Sequence, residues 1–440
     1  LLLTSLILAA TSALTMAPRD ILFTGNLRLG KCGHVPLALK AGPPAPAGDV
    51  AVAKVAPLAS LRAGRRPDFF EVAGAAARML RSGAQELSLS VRGGEVVDGA
   101  EDYWALYYLG CRLAAVSEGA RERVDVPLEA LGFFDEVVGH EARIYQDVLE
   151  LVARDRPTPM VRLRGDWGRA RVWAKLEWYN PLSLSIKDRT AWYMASMSAE
   201  ALGGAGALYE ASSSNTGVAL AALARLLGLR ARIYVPSTAE DFGPAMVRVL
   251  GGEAVVGGSS TTEILPRVLE DAARDGAVVL NQFSNPLNPA AHVRFTAKEI
   301  EYQARFAGLK LKGVFVSMGT GGHAAGIAFY FKNRMPGVRV VGVQPAGGGI
   351  PGIKRQDFSG WWGPMPRPDE VVEVSADEAL DAAIDVARSN GLLFGVSGGA
   401  VVAAIRRLSG GLEEGDYVAV IPDHGIKYLD LYLSRLGERA

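Results

Sequence analysis

From about Pro157 onward the chain alternates short runs rich in β-branched residues with apolar-periodic stretches of ten or more residues. The strands predicted from the runs are Val172 to Leu176, Ala207 to Glu210, Ala231 to Val235, Glu253 to Val256, Val278 to Asn281, Gly313 to Val316, Val338 to Val343, Leu392 to Phe394 and Tyr417 to Ile421. Helical spacing lies between them, as in Gly217 to Leu229 and Asp377 to Ser389. Such alternation predicts βαβ units, an α/β fold of mostly parallel sheets with helices on both faces. Ligands of such folds sit beyond the carboxyl ends of strands, so the turns after these strands carry the chemistry.

The preceding part reads differently. Phe69 to Leu87, Asp102 to Val116 and Pro127 to Phe134 show apolar positions at three- and four-residue spacing, which predicts an N-terminal helical module over about residues 50–150 with no cluster of ionisable groups. Residues 1–49 are apolar and then rich in Pro, Ala and Gly, without period; they read as a disordered tail. Leu1 to Pro18 carry no charge, yet the basic region of an export signal is missing, and an over-extended translation start explains the segment as well.

Composition narrows the partners. Forty-seven Lys and Arg balance 47 Asp and Glu, so the electrostatic footprint of a nucleic-acid or anionic-membrane protein is absent. No later run of about 18 apolar residues predicts a membrane span. Cys32 and Cys111 are far apart and have no CxxC partner, which fits a reducing, cytoplasmic setting and excludes a cysteine-built metal site.

Four turns stand out. In Glu177 to Arg189 (EWYNPLSLSIKDR), Lys187 opens a helix after a Ser-rich turn, in a chain with eleven lysines and thirty-six arginines. A helix start and partial burial depress an amine's pKa and favour Schiff-base chemistry, although a solvated lysine of an SxKD turn fits too. In Tyr209 to Gly217 (YEASSSNTG), the hydroxyls of Ser212, Ser213 and Thr216 and the free N–H groups of a helix start make a carboxylate cradle, with Asn215 as a donor to a phenolate-like oxygen; plain capping needs only one of them. In Val314 to Gly326 (VFVSMGTGGHAAG), Gly319, Thr320, Gly321, Gly322 and His323 let backbone amides close on a phosphate. The weak dinucleotide pattern is also met there, but the next strand ends in Gln344 instead of an acidic residue, which disfavours a dehydrogenase. In Gly391 to Ala400 (GLLFGVSGGA), Ser397 can hydrogen-bond a heteroaromatic ring nitrogen.

Taken in this order, the lysine turn, SSSNTG, GTGG and GVSGGA resemble the pyridoxal-phosphate enzymes of the cysteine synthase family, fold type II, over about Pro157 to Tyr428. The detail of EWYNPLSLSIKDR, the N-terminal module and IPGIKR are most similar to the archaeal O-phosphoserine sulfhydrylases. The resemblance implies pyridoxal 5'-phosphate as cofactor, two lobes with a smaller closing lobe at about residues 206–306, a homodimer, and formation of L-cysteine from O-phospho-L-serine and sulfide. It implies that Lys187 carries the cofactor and takes the substrate α-proton. Asn215 meets the ring hydroxyl, Gly319 to His323 the phosphate and Ser397 the pyridine nitrogen. Ser212, Ser213, Thr216 and Gln282 hold the substrate carboxylate, and Lys354 and Arg355 the donor phosphate. A serine hydroxyl does not keep the pyridine protonated, which weakens the electron sink and favours loss of a β-leaving group. Three positions depart from the family pattern: Ser214 stands for glycine, His323 for threonine, and Lys354 for arginine. A lysine lacks the bidentate fork, so O-acetylserine is the alternative donor. Cystathionine β-synthase, threonine synthase and dehydratase chemistry share the cofactor, and a non-enzymatic binding protein remains a further alternative.

Overall fold

The computed structural model describes residues 54–64, 67–87, 89–117, 123–138, 143–358, 361–363 and 365–437. The expected tail over residues 1–49, with Cys32, lies outside them. Two sheets build the core. The larger runs in the order Glu370–Val374, Arg339–Pro345, Leu311–Ser317, Gly415–Ile421, Ala170–Leu176, Met160–Arg162, parallel throughout except for its last pair. The smaller runs Glu253–Val256, Arg230–Val235, Ala207–Ala211, Val278–Val279 and is wholly parallel. Central strands read as unbroken apolar runs because helices cover both faces; Val314, Val316, Val418 and Val420 are all fully buried.

The sheet orders decide where chemistry is possible. Leu311–Ser317, Gly415–Ile421 and Ala170–Leu176 are neighbours, so the glycine-rich turn, the turn at Pro422 and the lysine turn emerge side by side at one sheet end. The predicted strand Leu392 to Phe394 is instead a single bridge from Phe394 to His424. That contact still brings the start of the helix Val396–Leu408 to the same end.

The module at residues 50–150 differs from its expected helical form. It holds a five-stranded sheet in the order Lys54–Pro57, Leu113–Ser117, Leu89–Arg92, Glu95–Asp98, Arg62–Ala63, a separate strand pair Ala84–Leu87 with Arg123–Pro127, and the helices Phe69–Ser82 and Ala100–Leu109. Both long helices stop at a glycine in the left-handed region, Gly83 at φ 72° and Gly110 at φ 69°. Such a residue terminates a helix by turning its amide back to the last carbonyls, and the apolar residues beyond it continue as strands. Leu128–Leu131 forms a 3-10 turn.

The module docks through charge as well as apolar contact. Arg294 donates to both oxygens of Glu136, at 2.9 and 2.5 Å, and to the Tyr107 carbonyl at 2.9 Å. Lys298 Nζ donates to the Leu109 carbonyl. Arg294 belongs to a π-helical turn, His292–Ala297, whose first residue meets Thr190 Oγ1 through Nε2 at 3.1 Å. Beneath that turn lies a buried ion network: Glu299 accepts from Lys175 at 2.7 Å and from Arg189 at 2.5 and 2.7 Å, and Arg189 reaches Glu177 at 2.6 Å. Among the described residues no helix is long and apolar enough to cross a membrane, and no group of three or more His, Cys, Asp or Glu is placed to hold a metal ion.

Candidate active site

Lys187 is the first residue of the helix Lys187–Met197. The turn before it is set by Asp188, whose carboxylate accepts from Leu182 N at 2.6 Å, Ser183 N at 2.9 Å and the Ser183 hydroxyl. Leu184 takes a φ of 50°, and Ile186 N bonds to the Pro422 carbonyl at 2.8 Å. The lysine is thereby aimed at the turn after the strand Gly415–Ile421. Burial pushes the Lys187 amine down to about 8; Asp423 nearby raises it and Lys427 lowers it further. A substantial neutral fraction near physiological pH is what a nucleophilic amine needs.

The SSSNTG turn links the strand Ala207–Ala211 to the helix Asn215–Leu226. Gly217 N donates to Ser212 Oγ at 2.8 Å, Thr216 Oγ1 to Gln282 Oε1 at 2.7 Å, and Gln282 Nε2 to the Ala211 carbonyl at 2.9 Å. Gln282, three residues past the strand Val278–Val279, is thereby tied to Thr216 and to the carbonyl of Ala211 just before Ser212. Ser213, Ser214 and Asn215 are half-buried at the mouth of this turn.

The glycine-rich turn is held by its carbonyls. Lys354 N bonds to Met318 O at 2.9 Å, Gln356 Nε2 to Gly319 O at 2.7 Å, and Trp362 Nε1 to Thr320 O at 3.1 Å. The amides at the start of the helix Gly322–Arg334 have no acceptor within the helix and face the site. Nothing larger than glycine fits here: a Cβ on Gly319 would lie 2.5 Å from Gly352 O, and one on Gly322 2.4 Å from Asn288 Oδ1, while Gly321 has φ 84°. His323 is 5% exposed, and its Nε2 is buried without a partner. Burial and the Lys187 cation push its ring down to about 3, against a hydrogen bond with the Ser317 backbone, so the ring is neutral.

Ser397 is the second residue of its helix and buried at 4% exposure. Gly395 N bonds to the Asp423 carbonyl at 3.0 Å, which ties this helix start to the Lys187 side. Close approach explains its glycines: a Cβ on Gly399 would lie 2.0 Å from Ala379 O. The basic pair separates. Lys354 extends over the ring of Phe283, the residue after Gln282, 5.6 Å from its centre. Arg355 instead pairs with Glu373 at 2.8 Å, which engages its guanidinium away from Gln282.

Several residues of the site were not read from sequence. Asn288 donates to Thr320 Oγ1 at 3.0 Å and to Gln282 O at 2.7 Å, linking the glycine-rich turn to the segment of Gln282. His292 bridges Thr190 and Thr296 through its two ring nitrogens. Asp423 and Lys427 contact Asn215. The last two follow a strand that the sequence does reveal, but they meet Asn215 across 208 and 212 residues of chain, with no local signal in the turn.

Comparison with known proteins agrees with this geometry. A family model described as "Pyridoxal-phosphate dependent enzyme" matches residues 153–423. Cysteine synthase B of Pseudomonas aeruginosa is 38% identical over 282 residues, covering 62% of this chain and 93% of that protein. The solved structure of O-ureido-L-serine synthase is similar at a TM-score of 0.59 and 30% identity, covering 66% of this chain and 95% of that one. That of O-acetyl serine sulfhydrylase isoform 3 from Entamoeba histolytica has a TM-score of 0.58 at 27% identity, covering 67% and 94%. The fold is thus the two-lobed α/β fold that the sequence resemblance implies. Pyridoxal 5'-phosphate is the cofactor of the matched family, and the site fits it: a glycine cradle that any Cβ would fill, an unpartnered buried Nε2 on His323, and a partly buried lysine amine of lowered pKa.

Proposed function

Since this chain belongs to the pyridoxal-phosphate dependent enzymes, we propose that it makes L-cysteine by β-replacement, with O-phospho-L-serine as donor and sulfide as acceptor. The Cβ–O bond to phosphate breaks, the Cβ–S bond forms, and phosphate leaves. The cofactor, when bound, supplies the electron sink for charge developing at the α-carbon. Lys187 would carry it, and its Nζ would accept the α-proton; its lowered basicity suits that role near neutral pH. Amides of Gly319 to His323 hold the cofactor phosphate, Asn215 its ring hydroxyl and Ser397 its ring nitrogen. Ser212, Ser213, Thr216 and Gln282 orient the substrate carboxylate. The small-sheet lobe closes over that carboxylate and excludes water, which would otherwise divert the reaction to hydrolysis.

The observation that carries the donor assignment is the place of Lys354. Its backbone is bonded to the residue before the glycine-rich turn, and its ammonium lies 5.6 Å from the ring centre of Phe283, the residue after Gln282. A cation beside the segment that carries Gln282 suits a phosphate on the substrate's β-carbon. The engagement of Arg355 by Glu373 favours the second reading, O-acetylserine as donor, because only one unpaired cation then remains for the phosphate.

The test is cysteine formation by the cofactor-loaded protein with each donor, native and Lys354→Ala. With O-phosphoserine the substitution lowers kcat/KM by about 10- to 100-fold, the loss of a hydrogen bond to a charged group, and with O-acetylserine by less than about twofold. A native protein that releases acetate but no phosphate overturns the phosphoserine assignment.

A further inference from the structure

The turn after the strand Gly415–Ile421 places an anion and a cation on opposite ends of one amide. Asp423 is 1% exposed; its Oδ2 accepts from Asn215 Nδ2 at 2.7 Å and from the Tyr428 hydroxyl at 2.6 Å, while Oδ1 is buried without a partner. Lys427 is 6% exposed and donates to Asn215 Oδ1 at 2.7 Å, to the Ser183 carbonyl at 2.6 Å and to the Leu184 carbonyl at 3.1 Å. An ammonium has three N–H groups, and these acceptors use all three.

This arrangement fixes which way the Asn215 amide points. An ammonium can only donate, so it must face Oδ1; a carboxylate can only accept, so it must face Nδ2. Turning the amide over would set NH2 against NH3 and oxygen against oxygen, with both groups buried. Nδ2 carries two hydrogens and Asp423 takes one, which leaves the other for an outside acceptor. Lys427 also joins Asn215 to the Ser183–Leu184 turn that aims Lys187.

We propose that Asp423 and Lys427 are positioning residues that lock Asn215 in the one amide orientation able to donate to the cofactor ring and set one anion and one cation against Lys187. This rests on the reading of Lys187 as the cofactor-bearing lysine. Other groups facing Lys187 are accounted for. Asp188 is bonded within the Ser183 turn, Arg189 is paired with Glu177 and Glu299, and burial holds both His292 and His323 well below the usual histidine range. Asp423 and Lys427, which pair with each other at 3.7 Å, are thus the nearby charges that single substitutions can remove.

The experiment is capture of pyridoxal phosphate by the full chain after cofactor removal, followed by visible absorbance as a function of pH. Capture needs a neutral amine, so its pH midpoint reports the basicity of Lys187. Asp423→Asn moves the midpoint down and Lys427→Met moves it up, each by about one pH unit, because a neighbouring anion stabilises the ammonium and a neighbouring cation opposes it. Lys427→Arg keeps the charge and the native midpoint, but cannot reproduce the three-acceptor geometry and releases cofactor several-fold faster. A purely structural role weakens capture in all variants without opposite shifts; midpoints that move together or stay put overturn the proposal. Should Lys427→Met not fold, an unmoved midpoint in Asp423→Asn does so by itself. A Lys187→Ala protein that captures cofactor like the native one instead overturns the reading of Lys187, not just that of its neighbours.

Discussion

Two buried charge clusters lie on either side of the helix Lys187–Met197, and they are built to opposite standards. In the network of Glu177, Arg189, Glu299 and Lys175, each carboxylate oxygen accepts at least one hydrogen bond, and all four side chains are at most 1% exposed. In the cluster of Lys187, Asp423, Lys427 and Asn215, Asp423 Oδ1 is buried without a partner. Leaving a buried polar atom unpaired costs about 1–3 kcal/mol; beside the first cluster the one such atom among the described residues is Arg156 Nε, 3.7 Å from Glu299, whereas in the second it is an oxygen of the carboxylate itself. The first cluster holds two elements together.

The widest separation between them is expected on activity. Lys187→Ala lowers turnover by about a thousandfold or more, since it removes both the cofactor anchor and the base, yet keeps the fold. Stability should even reveal the strain. The folded-state basicity of Lys187, about 8, lies below its ordinary 10.5, so between these values the unfolded chain binds more protons than the folded one. Stability of the cofactor-free protein therefore gains a rising contribution from about pH 8 to 10.5 that Lys187→Ala removes. Lys298, also lowered to about 8, adds a similar slope and is untouched, so the comparison is the difference between native and variant urea melts across that window.

Glu299→Gln breaks the other cluster and reverses the pattern. It keeps the shape but leaves Lys175 and Arg189 under-neutralised in a water-free site, where removing one partner costs about 3–5 kcal/mol. Chemical denaturation should show that loss, while the variant fraction that stays folded and loaded keeps the native pH midpoint of cofactor capture. A shifted midpoint would mean that the two clusters are electrically coupled through the helix they share.

What the sequence disclosed follows the same division. The turns around Lys187, Asn215, Gly319 to Gly322 and Ser397 were legible because glycines, serines and an Asn-Thr pair sit within a few residues of each other at strand ends. Gln282 was found as the end of a strand. Asp423 and Lys427 meet Asn215 across 208 and 212 residues of chain, and nothing local in IPDHGIKY announces an ion pair around an amide. The N-terminal module was misjudged for a local reason: apolar spacing runs on through Gly83 and Gly110, and only their left-handed backbone separates helix from strand. Arginine 355 is the better phosphate ligand by type, yet Glu373, a neighbour only once the large sheet is formed, engages it.

A third ion pair sharpens the contrast from the weak end. Lys312 donates to Glu413 at 2.7 Å with good geometry, but Glu413 is 73% exposed, and water competes for both charges. The Coulomb gain is then nearly matched by the loss of hydration and of side-chain freedom, leaving under about 1 kcal/mol. Lys312→Ala should lower the denaturation free energy by no more than that, with the difference vanishing in high salt. Because the distances of this pair and of the Lys175 to Glu299 pair are equal, at 2.7 Å, a small effect here beside a large one for Glu299→Gln assigns the difference to burial and to the uncompensated charge left behind, not to the length of the contact.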